Sequence, residues 1–113
     1  MDQDLKNDIA RRFRDAVNME LEDLRSWLET APSKAVGWPP DRPEGAESVG
    51  HASGRRILRI LATPHEKLSD DEYRHMRKVA GYVARHLKQR PRGDVSETRW
   101  RYSLMNWGHD PLK

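Results

Sequence analysis

The sequence predicts an all-α fold: a single domain over residues 1–113, with four or five helices and a long proline-rich loop at about 31–47. Three observations carry that prediction. Apolar residues recur three and four apart in several separate stretches, the spacing that places side chains on one face of a helix. Four prolines and two glycines crowd the segment APSKAVGWPPDRPEGAE, and residues such as Pro39 and Pro40 cannot sit inside a helix. A length of 113 residues suits one domain.

The core is expected to be thin. Hydrophobic and charged residues each make up 35% of the chain, where roughly 45–50% apolar is usual on a slightly broader count. Four tryptophans compensate, because each buried aromatic removes roughly 150–250 Å² from water.

The first helix is predicted over about 4–17, with Leu5, Ile9, Phe13, Ala16 and Val17 on one arc. Asn18 interrupts the pattern as a cap. A second helix follows over about 19–30, with Leu21, Leu24, Trp27 and Leu28 inward and Glu20, Glu22, Asp23 and Glu29 outward. Periodicity leaves open whether these two are one bent helix. In the loop, Trp38 is expected to turn inward and pin the segment onto the helices.

The third helix is predicted over about 48–62, with Val49, Gly50, Ser53, Gly54, Ile57, Ile60 and Leu61 on one face. His51, Arg55, Arg56 and Arg59 fall on the other. Gly50 and Gly54 do not form a phosphate loop, which needs a preceding strand and more glycines. On an apolar face they imply close approach of another helix, since glycine otherwise costs a helix roughly 1 kcal/mol against alanine.

Ser69 and Glu72 form a capping box that opens a fourth helix over about 70–89. Its apolar stripe is Tyr73, Met76, Val79, Ala80, Val83, Ala84 and Leu87. Arg74, Arg77, Lys78, Arg85 and Lys88 form the opposite stripe around Gly81, and His75, Tyr82 and His86 lie between. Asp94 is expected to cap a last helix over about 95–107, with Trp100, Leu104 and Trp107 facing one way and Gly108 ending it. The glycine-bearing third helix is expected to pack on the fourth through Gly50 and Gly54, with Trp27, Trp100 and Trp107 closing the core.

Several function classes recede. Without cysteine there is no disulfide, thiolate nucleophile or cysteine zinc site, which fits a reducing compartment. The opening MDQDLKNDIARR lacks the apolar stretch of a secretory signal, and no segment reaches the roughly 20 apolar residues of a membrane span. A cytoplasmic protein with no membrane partner is expected. Within one helix His75 and His86 lie about three turns apart, roughly 16 Å of rise, too far to share a metal. Ser48 or Ser53 with His51 would supply a nucleophile and a base, but neither has the elbow sequence of a serine hydrolase. No catalytic residue, metal or cofactor is therefore assigned.

Charge is unevenly distributed. Residues 1–31 sum to −3, residues 32–49 to −1 and residues 50–113 to +7. A lopsided basic region suggests an anionic partner. The candidate phosphate contacts are Arg55, Arg56 and Arg59 on one helix and Arg74, Arg77, Lys78, Arg85 and Lys88 on another, with Gly81 leaving room for a phosphate backbone. Such residues give salt-sensitive, largely sequence-independent affinity. The competing account is a solvated helical surface, with Arg74, Arg77 and Lys78 exposed or paired with Asp70 and Asp71.

The segments ESVGHASGRRIL (47–58), YRHMRKVAGYVARHLKQRP (73–91) and GDVSETRWRYSLMNWGHDP (93–111), with VNMELEDLRSWLETAPSKAVGW (17–38), resemble the small microbial family catalogued as domain of unknown function 3140. The last segment, rich in tryptophan, is the most specific. The family's second helix often opens Thr-Pro after Asn-Met, where this chain has Glu20-Leu21. The resemblance implies a freestanding single-domain protein with no catalytic residues to carry over. Because members are sometimes labelled DNA-binding, it also raises that function. The expectation is a non-catalytic DNA-binding protein using the basic faces of two helices. The alternative is a protein-interaction or self-assembly module, a homo-oligomer without a nucleic-acid partner.

Overall fold

In the computed structural model, which describes residues 1–113, Asp2 caps α1 (Gln3–Ala16) by accepting from the Leu5 N–H. Ile9, Ala10, Phe13 and Ala16 are buried along one stripe. The chain then breaks, so the first two predicted helices are separate, and α2 (Leu21–Leu28) begins at Glu20 without any side-chain cap. Leu24 and Leu28 face inward.

The helices number six, not four or five, and the long proline-rich loop over 31–47 is overturned at the same place. Ala31–Ala35 is a helix, α3, with Thr30 accepting from the Ser33 N–H. Pro32 lies in its first turn, where a missing N–H costs no hydrogen bond. Proline there starts a helix; it does not mark a loop. Residues 36–48 are a run of turns bound around Arg42, whose guanidinium donates to the carbonyls of Lys34 (2.7 Å), Pro39 (2.9 Å), Ala46 (2.9 Å), Gly37 (3.0 Å) and Ala35 (3.2 Å).

Ser48 caps α4 (Val49–Leu61). After a 3-10 turn at His65–Lys67, the Ser69–Glu72 capping box opens α5 (Asp70–Leu87). The last helix, α6, is Arg99–Asn106, shorter than predicted and capped by Thr98. Asp94 instead accepts from Ser96 N–H at 2.9 Å in a turn, and this lets Val95 reach the core. Gly108, at φ +83°, ends the helix as expected.

α1 lies along α5, while α2, α3 and α4 gather around α6. The core is continuous, from Ile9 and Phe13 through Met76 and Val79 to Leu24, Ile57 and Leu104. Gly50 and Gly54 do mark close approach, but not to α5. A Cβ on Gly54 would lie 2.6 Å from the Asn106 carbonyl oxygen and 2.7 Å from Leu28 Cδ2; one on Gly50 would lie 2.9 Å from Trp107 Nε1. The glycines therefore seat α4 against α2 and the end of α6. Beside them the buried Asn106 side chain accepts from Trp27 Nε1 (2.8 Å) and Ser33 Oγ (2.6 Å) and donates to the Ser33 carbonyl (3.0 Å).

The segment after α6 returns to the end of α1. His109 Nδ1 meets the Ala16 carbonyl at 2.7 Å, and the Asn18 side chain exchanges two hydrogen bonds with the Asp110 backbone. Asn18 thus clasps this tail rather than capping a helix. Asp110 is pushed up by burial but held below the ordinary carboxylate range on balance, because Arg101 grips it at 3.0 and 3.1 Å. No helix is long and apolar enough to cross a membrane.

Candidate nucleic-acid interface

α4 and α5 touch only lightly, and the seam between them is where basic side chains of both helices meet. At its floor Ser53 Oγ and His75 Nε2 lie 2.9 Å apart. His75 stacks on Trp107 (ring centroids 6.3 Å), Trp107 on Tyr82 (4.2 Å), Tyr82 on His86 (5.1 Å) and His86 on Trp100 (6.3 Å). The rings of α5 and of the α6 segment thus form one column between those two elements, and His75, Tyr82 and Trp107 of it reach the seam. The histidines and Tyr82 that periodicity placed on the flank of α5 are its α5 members.

His75 is pushed down to about 4, first by burial and then by the positive charges of Arg56, Lys78 and Arg59. Two cations from α4 and one from α5 therefore act on one point. His86 is also pushed down, by burial, and its Nε2 is buried without a partner.

Two adjoining hollows open at the seam, the second where the start of α4 and the face of α5 meet α6 and the turn at Gly37 and Trp38. One of about 260 Å³ is lined by Arg56, Lys78, His75, Ser53, Val49, Ala52 and Trp107. The other, of about 200 Å³, shares Val49, Lys78 and Trp107 and adds Arg85, Tyr82 and Trp38, among others. No aspartate or glutamate lines either hollow.

The remaining predicted residues lie elsewhere. Arg55 is exposed but bound to Glu47 through both Nε and Nη2. Its hydrogen bond is the main reason the Glu47 carboxyl is held at about 2. Arg74 is tied to Asp71. Arg77 and Gly81 line a different groove, between α1 and α5, together with Asp8, Asp15 and Arg12. Only Arg85 reaches both grooves. A Cβ on Gly81 would meet nothing nearer than the Arg85 guanidinium, at 3.0 Å. Lys88 is exposed just past α5 and lines neither groove.

Two residues lie where the sequence did not place them. Trp38 does not pin the loop inward: it is 69% exposed at the rim of the second hollow. His51, placed on the polar face, is buried, with Nδ1 2.5 Å from Glu47 and Nε2 2.7 Å from the Leu28 carbonyl. Both ring nitrogens are engaged, so neither serine pairs with His51: Ser48 caps α4 and Ser53 turns to His75. No group of three or more histidine, aspartate or glutamate side chains could hold a metal ion.

A family model described as protein of unknown function (DUF3140) matches residues 12–105, and the chain belongs to that family. No curated protein and no solved structure matches it.

Proposed function

Starting from a family whose function is unknown, we propose that this protein binds DNA without catalysis and with little sequence preference, through the seam between α4 and α5. The observation that carries this reading is the row of Arg56, Lys78 and Arg85 along two hollows that no carboxylate lines. Lysine and arginine neutralise phosphates and release counterions, and affinity of this kind needs no base-specific contact. Arg59 adds to the field of the seam. Arg55 and Arg74 contribute little, since each is already neutralised by a carboxylate. The reading implies a cytoplasmic protein. Its test is a binding titration against DNA across salt concentrations. Each phosphate contact should steepen log affinity against log salt by about 0.9. Replacing Lys78 and Arg85 together with alanine should flatten the slope by about two units, equally for unrelated sequences. Absence of DNA binding at low salt would end the proposal.

A second reading, self-association, has its own observation. The α1–α5 groove, about 710 Å³, presents Leu5, Leu87, Ala80 and Ala84 between its charges, and both leucines are partly exposed. Sedimentation of the intact protein over a range of concentrations decides it, and a monomer throughout would remove it.

A further inference from the structure

Trp38 is exposed on a backbone that is not free to move. Its own carbonyl accepts from Val49 N–H at 2.8 Å, and the carbonyls on either side of it, Gly37 and Pro39, both accept from Arg42. The backbone that carries the indole is therefore held at the rim of the seam, beside Lys78, Arg85 and Val49, itself 45% exposed. A large exposed ring on an ordered backbone leaves only its side-chain torsions to be ordered on binding, and a tryptophan has two. Its flat face suits another flat face, and fixed cations next to it suit an anion. A nucleotide whose base is unpaired offers both.

A duplex fits less well. Its base faces are covered by their neighbours, so the Trp38 ring would find none to stack on. A single strand is narrow enough to lay phosphates along the seam and turn a base outward. Positive grooves flanked by stacking aromatics are the general means of holding single strands without sequence preference.

We propose that the seam is selective for single-stranded nucleic acid, with Trp38 as the platform on which one base stacks and Arg56, Lys78 and Arg85 as the phosphate contacts. This rests on the DNA-binding reading above and narrows it to unpaired strands.

The test compares a fluorescent oligothymidylate with a duplex of equal phosphate number at the same salt, using the intact protein. The single strand should bind more tightly. Trp38→Ala should weaken it about tenfold, in line with the loss of one base–aromatic stack, and leave duplex binding unchanged. Trp38→Phe should retain most of the affinity. Because Trp38 packs little, both variants should fold, and circular dichroism checks this. If Lys78→Ala with Arg85→Ala weakens binding while Trp38→Ala does not, DNA binding stands and the single-strand inference is overturned. Equal losses for strand and duplex in Trp38→Ala also overturn it. If wild type binds neither probe at low salt, both proposals fall together.

Discussion

α4 meets its neighbours in two opposite ways. Toward α2 and α6 it is shut: Gly54 leaves no room for a methyl group, and Asn106 fills the remaining space with satisfied hydrogen bonds. Toward α5 it stays ajar, with His75 and Ser53 at the floor, cations on the walls and Trp38 at the rim. The closed side spends its small and polar residues on backbone approach. The open side gathers like charges that would repel one another unless solvent or a ligand lies between. Stability should therefore reside in the first contact and binding in the second.

The largest expected effect tests the closed side. Asn106→Leu strands the Trp27 indole N–H and the Ser33 hydroxyl, and should cost about 4 kcal/mol in denaturant titration, at roughly 1–3 kcal/mol per buried unpaired group. A loss below 1 kcal/mol would mean that the node can relax or take in water. Next comes Gly54→Leu, expected to cost about 3 kcal/mol by overpacking against backbone. Gly81→Leu should cost far less, because only a flexible guanidinium stands in its way. Equal losses would erase the distinction between a packing glycine and a surface one.

The third effect belongs to pH. His75 is neutral in the folded protein down to about 4, whereas unfolded chains take up the proton near 6.5. The unfolded state thus binds more protons below 6.5, and stability falls as pH drops through that window. Between pH 6.5 and 5 the loss attributable to His75 is about 1.5 kcal/mol, and His86 acts in the same direction. His75→Gln should flatten the profile. The Glu47 carboxyl titrates lower, between its ordinary 4.5 and about 2, and does not confuse that comparison.

The smallest effect tests the open side. Lys78→Ala with Arg85→Ala should shift the denaturation midpoint hardly at all, within about 0.5 kcal/mol, because exposed charges contribute little to stability. A clear gain in stability would show that the two cations strain the fold, which sharpens the contrast further.

Much of this fold could be read from local chemistry. The α5 capping box, the centres of the α1 and α5 apolar stripes and the Gly108 stop need only residues near in sequence, and the structure reproduces them, while Leu5, Ala84 and Leu87 of those stripes are exposed. What periodicity missed depended on partners far along the chain or on ambiguous residues. Pro32 reads as a loop marker until Thr30 caps the turn around it. Gly50 and Gly54 announce a close neighbour without naming it, and the neighbour is more than fifty positions away on Asn106 and Trp107. The basic stripe on α5 was visible, but its partition between two grooves follows from where α1 and α4 lie. Trp38 was misread because a tryptophan is more often core than rim.

The clasp between the tail and the end of α1 joins positions 92 apart. Loop-closure entropy rises only slowly with such separation, so the clasp is cheap to keep once formed. It is slow to find, because distant contacts delay folding. Until residues 108–110 arrive, the Ala16 carbonyl and the Asn18 side chain have no partner, and the Met19 N–H lacks the Gly108 carbonyl it meets at 3.1 Å. The corner between α1 and α2 is therefore completed by the last part of this segment to emerge from the ribosome. A chain cut after Trp107 would keep all six helices in its sequence and leave the first of them unfastened.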